Sequence, residues 1–271
     1  MPEIELNAKL IEKTEIAPGL MILRIAPVGW SLSEFFPGQY AMLGLPASAP
    51  RCPDSDPEQT DNGPDMFFQR SYSITSTPDN LEYVEFYVTL VKSGAFSPRL
   101  FALNVGDKLR MSKNFSGLFT LLRVPEESNL IFLATGTGLS PCLSMIRSET
   151  GTASKRRIAL IHSARRSSEL GFSSELAELE KRRYNFTYIK SISRPHEEAE
   201  PWKGNTGYVQ DLWSKSLIEK AWGFPPTPDN THVFVSGNPA MCDSMTDILL
   251  AEGYKEQTFK EPGELHLERF W

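Results

Sequence analysis

The chain has 271 residues, 40% hydrophobic and 11% aromatic, enough for two ordinary domains of ~120–150 residues each. Its net charge of −6 argues against nucleic acid as a partner. No apolar run reaches the ~18 residues of a membrane-spanning helix, Met1-Pro2-Glu3 opens no secretory leader, and Cys52, Cys142 and Cys242 stand too far apart for a metal or iron–sulfur cluster. A cytoplasmic protein without membrane insertion and without a metal is expected.

Short strands punctuated by Gly and Pro fill the N-terminal half. Ile16 to Ala26 reads as a strand, as do Ala41 to Leu45, Arg70 to Thr75, Glu82 to Val91 and Leu109 to Met111, with a short helix over Ser97 to Leu103. This pattern predicts an antiparallel β-barrel. Pro46 to Asp65 is rich in proline and acids and poor in large apolar residues, which predicts a flexible loop.

From Ser128 the texture changes. Leu130 to Ala134 is a continuous apolar run, as in a strand buried on both faces. Ile158 to His162, Phe186 to Ser191 and His232 to Val235 repeat it. Helical patterns fall between, over Pro141 to Arg147, Ser174 to Arg183, Tyr208 to Lys220 and Met241 to Ala251. Strand–helix alternation predicts a doubly wound parallel sheet. The expected domains are therefore residues 1–124 and 125–271, with the linker near Leu122 to Glu127.

Several segments carry candidate chemistry. Arg70-Ser71-Tyr72-Ser73 puts Arg70 and Tyr72 on one face of a strand, because side chains repeat every two residues. The guanidinium suits the pyrophosphate of a flavin dinucleotide, the Tyr72 ring suits an isoalloxazine, and Ser73 then sits close to flavin N5. Lys92 to Pro98 places Gly94, Ala95, Phe96 and Ser97 before a helix start, where free N–H groups suit a phosphate.

Gly136-Thr137-Gly138 links a buried strand to a helix, the setting in which glycines let a dinucleotide approach. Gly237-Asn238-Pro239 occupies the same place after the fourth strand. Ala164-Arg165 and Ser193-Arg194 end the second and third strands at the same rim, and neither offers the acid that would favour NAD. The two arginines suit the 2′-phosphate of NADP.

Taken together, Arg70-Ser71-Tyr72-Ser73, Phe96-Ser97-Pro98-Arg99-Leu100, Ala134-Thr135-Gly136-Thr137-Gly138, His162-Ser163-Ala164-Arg165, Gly237-Asn238-Pro239-Ala240-Met241 and the aromatic end Phe270-Trp271 resemble the ferredoxin–NADP reductase family, most closely its bacterial ferredoxin/flavodoxin–NADP reductase branch. The resemblance covers nearly the whole chain. It implies an FAD-binding barrel, residues 1–124, followed by an NADP-binding α/β domain, residues 125–271.

It also implies roles for residues that the patterns alone do not single out. Tyr87, Val88, Ala95, Phe96, Ser97 and Thr137 join Arg70, Ser71, Tyr72 and Ser73 as FAD contacts. Gly136, Gly138, Ala164, Arg165, Ser193, Arg194, Tyr208, Gly237, Asn238 and Pro239 become NADP contacts. Glu268 matches an acid beside Ser73, Phe270 an aromatic that covers the flavin, and Trp271 the terminal Trp of the bacterial branch. Three positions depart from the family pattern: Ser236 replaces a common cysteine, Phe270 a common tyrosine, and Tyr208 an arginine frequent in close bacterial relatives.

The implied activity is hydride exchange between NADP(H) and FAD, with Ser73, Glu268 and Phe270 at the reacting centre and single electrons passing to ferredoxin or flavodoxin. The rival readings are an NADH-dependent reductase component of an oxygenase and a flavin redox subunit without turnover.

Overall fold

The computed structural model describes residues 5–58, 63, 66–152 and 154–270. The chain divides into two compact units, Met1–Gly117 and Leu118–Trp271. The division falls before residue 124 because Phe119 and Val124 pack in a core cluster of the second unit. The Phe119 ring meets Phe234 edge-on, with centroids 5.3 Å apart.

The first unit contains strands β1 (Ala8–Ala17), β2 (Leu20–Pro27), β3 (Tyr40–Pro46), β4 (Phe67–Ser73), β5 (Val84–Thr89) and β6 (Lys108–Met111), with helix α1 (Ser97–Ala102) before β6. They form one antiparallel sheet in the order β4-β3-β6-β1-β2-β5. Just past β4, Ile74 bridges Phe86 of β5, and the Thr75 N–H donates to the Glu85 carbonyl at 2.8 Å. The two outer strands therefore meet and close the barrel. Alternate residues such as Leu10, Leu23, Leu43, Phe86 and Met111 fill it.

Two expectations for this unit change. Ile16 to Ala26 is not one strand but the bend of the β1–β2 hairpin, which reverses at Pro18-Gly19 with Gly19 at φ +75°. The segment after Pro46 is not free. Residues 59–62, 64 and 65 lie outside the described residues. Before them the Cys52 N–H donates to the Pro98 carbonyl (3.0 Å) and the Asp56 N–H to the Lys92 carbonyl (3.1 Å). Cys52 itself is buried in the barrel core.

The second unit alternates β7 (Asn129–Thr135), α2 (Leu139–Thr150), β8 (Ile158–Ala164), α3 (Ser173–Arg182), β9 (Phe186–Ile192), β10 (Asn205–Thr206), α4 (Val209–Ser214), α5 (Leu217–Trp222), β11 (Thr231–Gly237), α6 (Pro239–Ala251) and β12 (Leu265–Arg269). The sheet order is β10-β9-β8-β7-β11-β12, and every pairing is parallel. Residues of α2 and α3 pack on one face, with Leu130, Phe132 and Leu160. Those of α4, α5 and α6 pack on the other, with Ile131, Leu133 and Ile161. This is the doubly wound sheet that the apolar runs predicted.

The helix expected over Tyr208 to Lys220 is two helices, because Ser216 takes a left-handed conformation (φ 51°) between them. No helix among the described residues is long and apolar enough to cross a membrane. Because the strands are parallel, their carboxyl ends share one edge. The turns after β7, β8, β9 and β11 therefore line up there.

Candidate functional site

In the first unit, β4 and the turn before α1 carry the candidate flavin residues. Register places Tyr72 opposite Ala41 and Ser73 opposite Tyr40. Arg70 is exposed, and its Nη1 donates to the Gln69 carbonyl at 2.7 Å. Burial pushes the Tyr72 phenol well above its ordinary range, with Arg70 pulling the other way, so the ring is neutral. Phe96 lies 5.8 Å from the Tyr72 ring. Ser73 and Tyr87 are buried, while the Val88 side chain belongs to the barrel core, which leaves only its backbone for a ligand.

The turn from Lys92 to Ser97 is closed on itself. Ser97 Oγ accepts from the Val91 N–H at 2.9 Å, and the Gly94 N–H donates to the Val91 carbonyl at 2.9 Å. The N–H groups of Ser93, Ala95 and Phe96 have no acceptor among the described residues. A turn that leaves several N–H groups open fits an anionic pyrophosphate. With the exposed Arg70 and the neutral Tyr72 ring, this residue set fits FAD.

In the second unit, two glycine turns interlock at the carboxyl edge. A Cβ on Gly138 would stand 2.3 Å from the Ser236 carbonyl oxygen, and one on Gly237 (φ +134°) 2.3 Å from Thr135 Oγ1. Thr135 Oγ1 also accepts from the Asn238 N–H at 3.0 Å. Asn238 caps α6, its Oδ1 accepting from the Ala240 and Met241 N–H groups at 3.0 and 3.3 Å, and Pro239 opens the helix. Gly136 is different: it takes φ +54° with open space where a side chain would be, while Thr137 beside it is buried.

Strand β12 brings the C-terminal residues to this edge. Glu268 is in register with Ser236, and the Phe270 N–H donates to the Gly237 carbonyl at 3.0 Å. Trp271 lies outside the described residues. Ser236 Oγ is fully buried and has no hydrogen-bond partner among the described residues. Nearby, burial pushes the Cys242 thiol up to about 11, and that of Cys142 well above its ordinary value. Both stay protonated, as inert packing groups.

The arginine rim is continuous. The Ser193 N–H donates to the Ala164 carbonyl and the Arg194 N–H to the Arg165 carbonyl, both at 2.9 Å. Gly207 joins the end of β9 by donating to the Ile192 carbonyl at 3.1 Å, and the exposed Tyr208 follows it. Sequence reasoning looked for acids only at strand ends and missed two in the following turns. Arg165 Nε pairs with Glu169 at 3.0 Å, and Arg194 Nη1 with Glu197 at 3.2 Å. Partial desolvation would push the Glu197 carboxyl up, but Arg166 and Arg194 hold it below its ordinary range.

Comparison with known proteins agrees with this geometry. Residues 132–247 match the family model described as "Oxidoreductase NAD-binding domain". The flavodoxin/ferredoxin–NADP reductase of Shigella flexneri is 31% identical over 88% of this chain and 88% of its own. The chain belongs to the flavodoxin/ferredoxin–NADP reductase family. Within that family, the ferredoxin–NADP reductase of Azotobacter vinelandii is 30% identical over 87% of this chain and 86% of its own. A ferredoxin NADP+ reductase from Neisseria gonorrhoeae, solved with bound FAD and NADP, superposes with a TM-score of 0.78 at 25% identity, over 97% of both chains.

Proposed function

We propose that this chain is an FAD-dependent oxidoreductase that exchanges hydride with NADP(H) and passes single electrons to or from ferredoxin or flavodoxin. The observation that carries the reading is the backbone coupling of Arg165 to Arg194. It brings arginines from two strand ends together, at the edge where an open parallel sheet binds nucleotides. Bound FAD supplies the conversion between a two-electron hydride and single electrons.

The first unit holds FAD. Arg70 and the open N–H groups of the Lys92–Ser97 turn take the pyrophosphate, Tyr72 lies against the ring, and Ser73 hydrogen-bonds near N5. The second unit holds NADP(H). Gly136, Gly138 and Gly237 let the dinucleotide approach, Arg165 and Arg194 take the 2′-phosphate, and Tyr208 packs on the adenine. At the end of β12, Glu268 would relay protons and Phe270 would offer a flat ring to the cofactors.

Stopped-flow reduction of the yellow protein tests this, with NADPH and NADH in parallel. Fast bleaching by NADPH and much slower bleaching by NADH is expected, and no bleaching by either would remove the enzyme reading. A second reading, an NADH-dependent reductase component of an oxygenase, is favoured by the carboxylates of Glu169 and Glu197, which already neutralise the rim arginines. Similar rates with both nucleotides would select it.

A further inference from the structure

The segment between β3 and β4 has a use that its composition hides. Arg51 Nη1 donates to the Gly94 carbonyl at 2.9 Å, and Arg51 Nη2 to the carbonyls of Asp56 (2.8 Å) and Lys92 (3.2 Å). Arg99 Nη1 donates to the Ala95 carbonyl at 2.7 Å. Its other N–H groups go to the Ala47 carbonyl and to both oxygens of Glu58, at 2.7 to 3.1 Å. All five donors of Arg99 are thereby used, with the guanidinium 4.9 Å from the Phe68 ring centroid.

The carbonyls of Lys92, Gly94 and Ala95 are therefore drawn toward two guanidinium groups. The described residues contain no cis peptide. In a trans peptide the N–H points opposite to the C=O. Pulling these three carbonyls one way aims the N–H groups of Ser93, Ala95 and Phe96 the other way. They are three of the five N–H groups of Lys92 to Ser97 that donate to nothing among the described residues, the other two being those of Lys92 and Ser97. The arginines also place positive charge behind the turn. Glu58 is the one carboxylate paired with either of them among the described residues.

We propose that the segment from Ala47 to Glu58 is a strap, and that Arg51, with Arg99 and Glu58, is a positioning residue that holds the Lys92–Ser97 turn in its phosphate-receiving form. The proposal rests on the reading that this turn receives the FAD pyrophosphate. Arg51 would act through the backbone carbonyls it holds and not through a flavin ring. It therefore discriminates ligands by their phosphates.

The test titrates the full-length chain, stripped of flavin, with FAD and with riboflavin, which has the ring but no phosphate. Arg51→Ala is expected to raise the Kd for FAD about tenfold, the loss of charge-assisted hydrogen bonds, while the Kd for riboflavin stays within about twofold. Arg51→Lys keeps the charge but loses the fork, and should recover only part of the FAD affinity. An unchanged FAD Kd, or equal losses for both ligands, overturns the proposal. If Arg51→Ala does not fold, the same pair of titrations on Arg51→Lys decides, with loss confined to FAD expected. A wild-type chain that binds riboflavin as tightly as FAD would instead remove the pyrophosphate reading of the turn.

Discussion

The backbone N–H of Arg194 donates to the backbone carbonyl of Arg165 at 2.9 Å. Two arginines from different strand ends are thus tied by their main chains, while their side chains remain about half exposed and able to turn toward a ligand. Replacing Arg194 by Ala removes one charge without disturbing that tie. The KM for NADPH should rise about tenfold or more, with little change for NADH. Equal effects on the two nucleotides, in steady-state kinetics, would take Arg194 out of phosphate recognition.

Glu197 pairs with Arg166 and with Arg194, the second of which the proposed reading gives to the 2′-phosphate. Glu197→Gln keeps the shape and removes the competing charge. Because these groups are solvent-accessible the gain is small: the KM for NADPH should fall about two- to fivefold. A rise in KM would mean that Glu197 positions the arginines rather than occupying them.

The glycines of the nucleotide edge should differ sharply in tolerance. Gly237→Ala drives a methyl group into Thr135 at φ +134°. It should destabilise the second unit by about 3 kcal/mol or more. Gly136→Ala meets only open space, so its cost is the left-handed backbone alone, about 1 kcal/mol. Urea midpoints of the two variants against wild type rank them.

Buried histidines make the second unit acid-sensitive. Desolvation lowers His162 to about 4. Desolvation first, and then His232 with Nδ1 3.0 Å from its Nε2, lowers His266 to about 3. The unfolded chain binds protons at these sites below about pH 6.5 and the folded chain does not. Stability is therefore complete above that pH and is lost as the pH falls toward the folded values. At pH 5 the loss should be about 2 kcal/mol for each of these histidines. Denaturation of wild type and His162→Gln at pH 7 and pH 5 checks it: the variant should lose less on acidification.

Much of the fold was legible because its signals were local. The apolar runs of β7, β8 and β11 are buried on both faces, and such strands write their position directly in the sequence. Strands β1 and β12 were not read. The first carries charged residues on its outer face and two register shifts that break the period, and the second is an edge strand with His266 and Glu268 among its leucines. The break at Ser216 has no glycine to announce it.

The candidate site shows the same division. Glycine turns and strand-end arginines follow from the strand–turn–helix rhythm, so they could be placed from sequence. Glu169 and Glu197 reach the rim from turns whose course depends on the folded edge. The strap was misread because acids and prolines look alike in a free loop and a pinned one. What pins it is a pair of arginines, and their acceptors are backbone carbonyls far along the chain.

The three cysteines of this chain are free and buried, Cys52 in the first unit and Cys142 and Cys242 in the second. Their thiols are shut away from solvent, so a thiol reagent can modify them only when the surrounding structure opens. The molecule thus carries its own opening clock, with one reporter in the flavin half and two in the nucleotide half. The order in which mass spectrometry finds them labelled tells which half yields first.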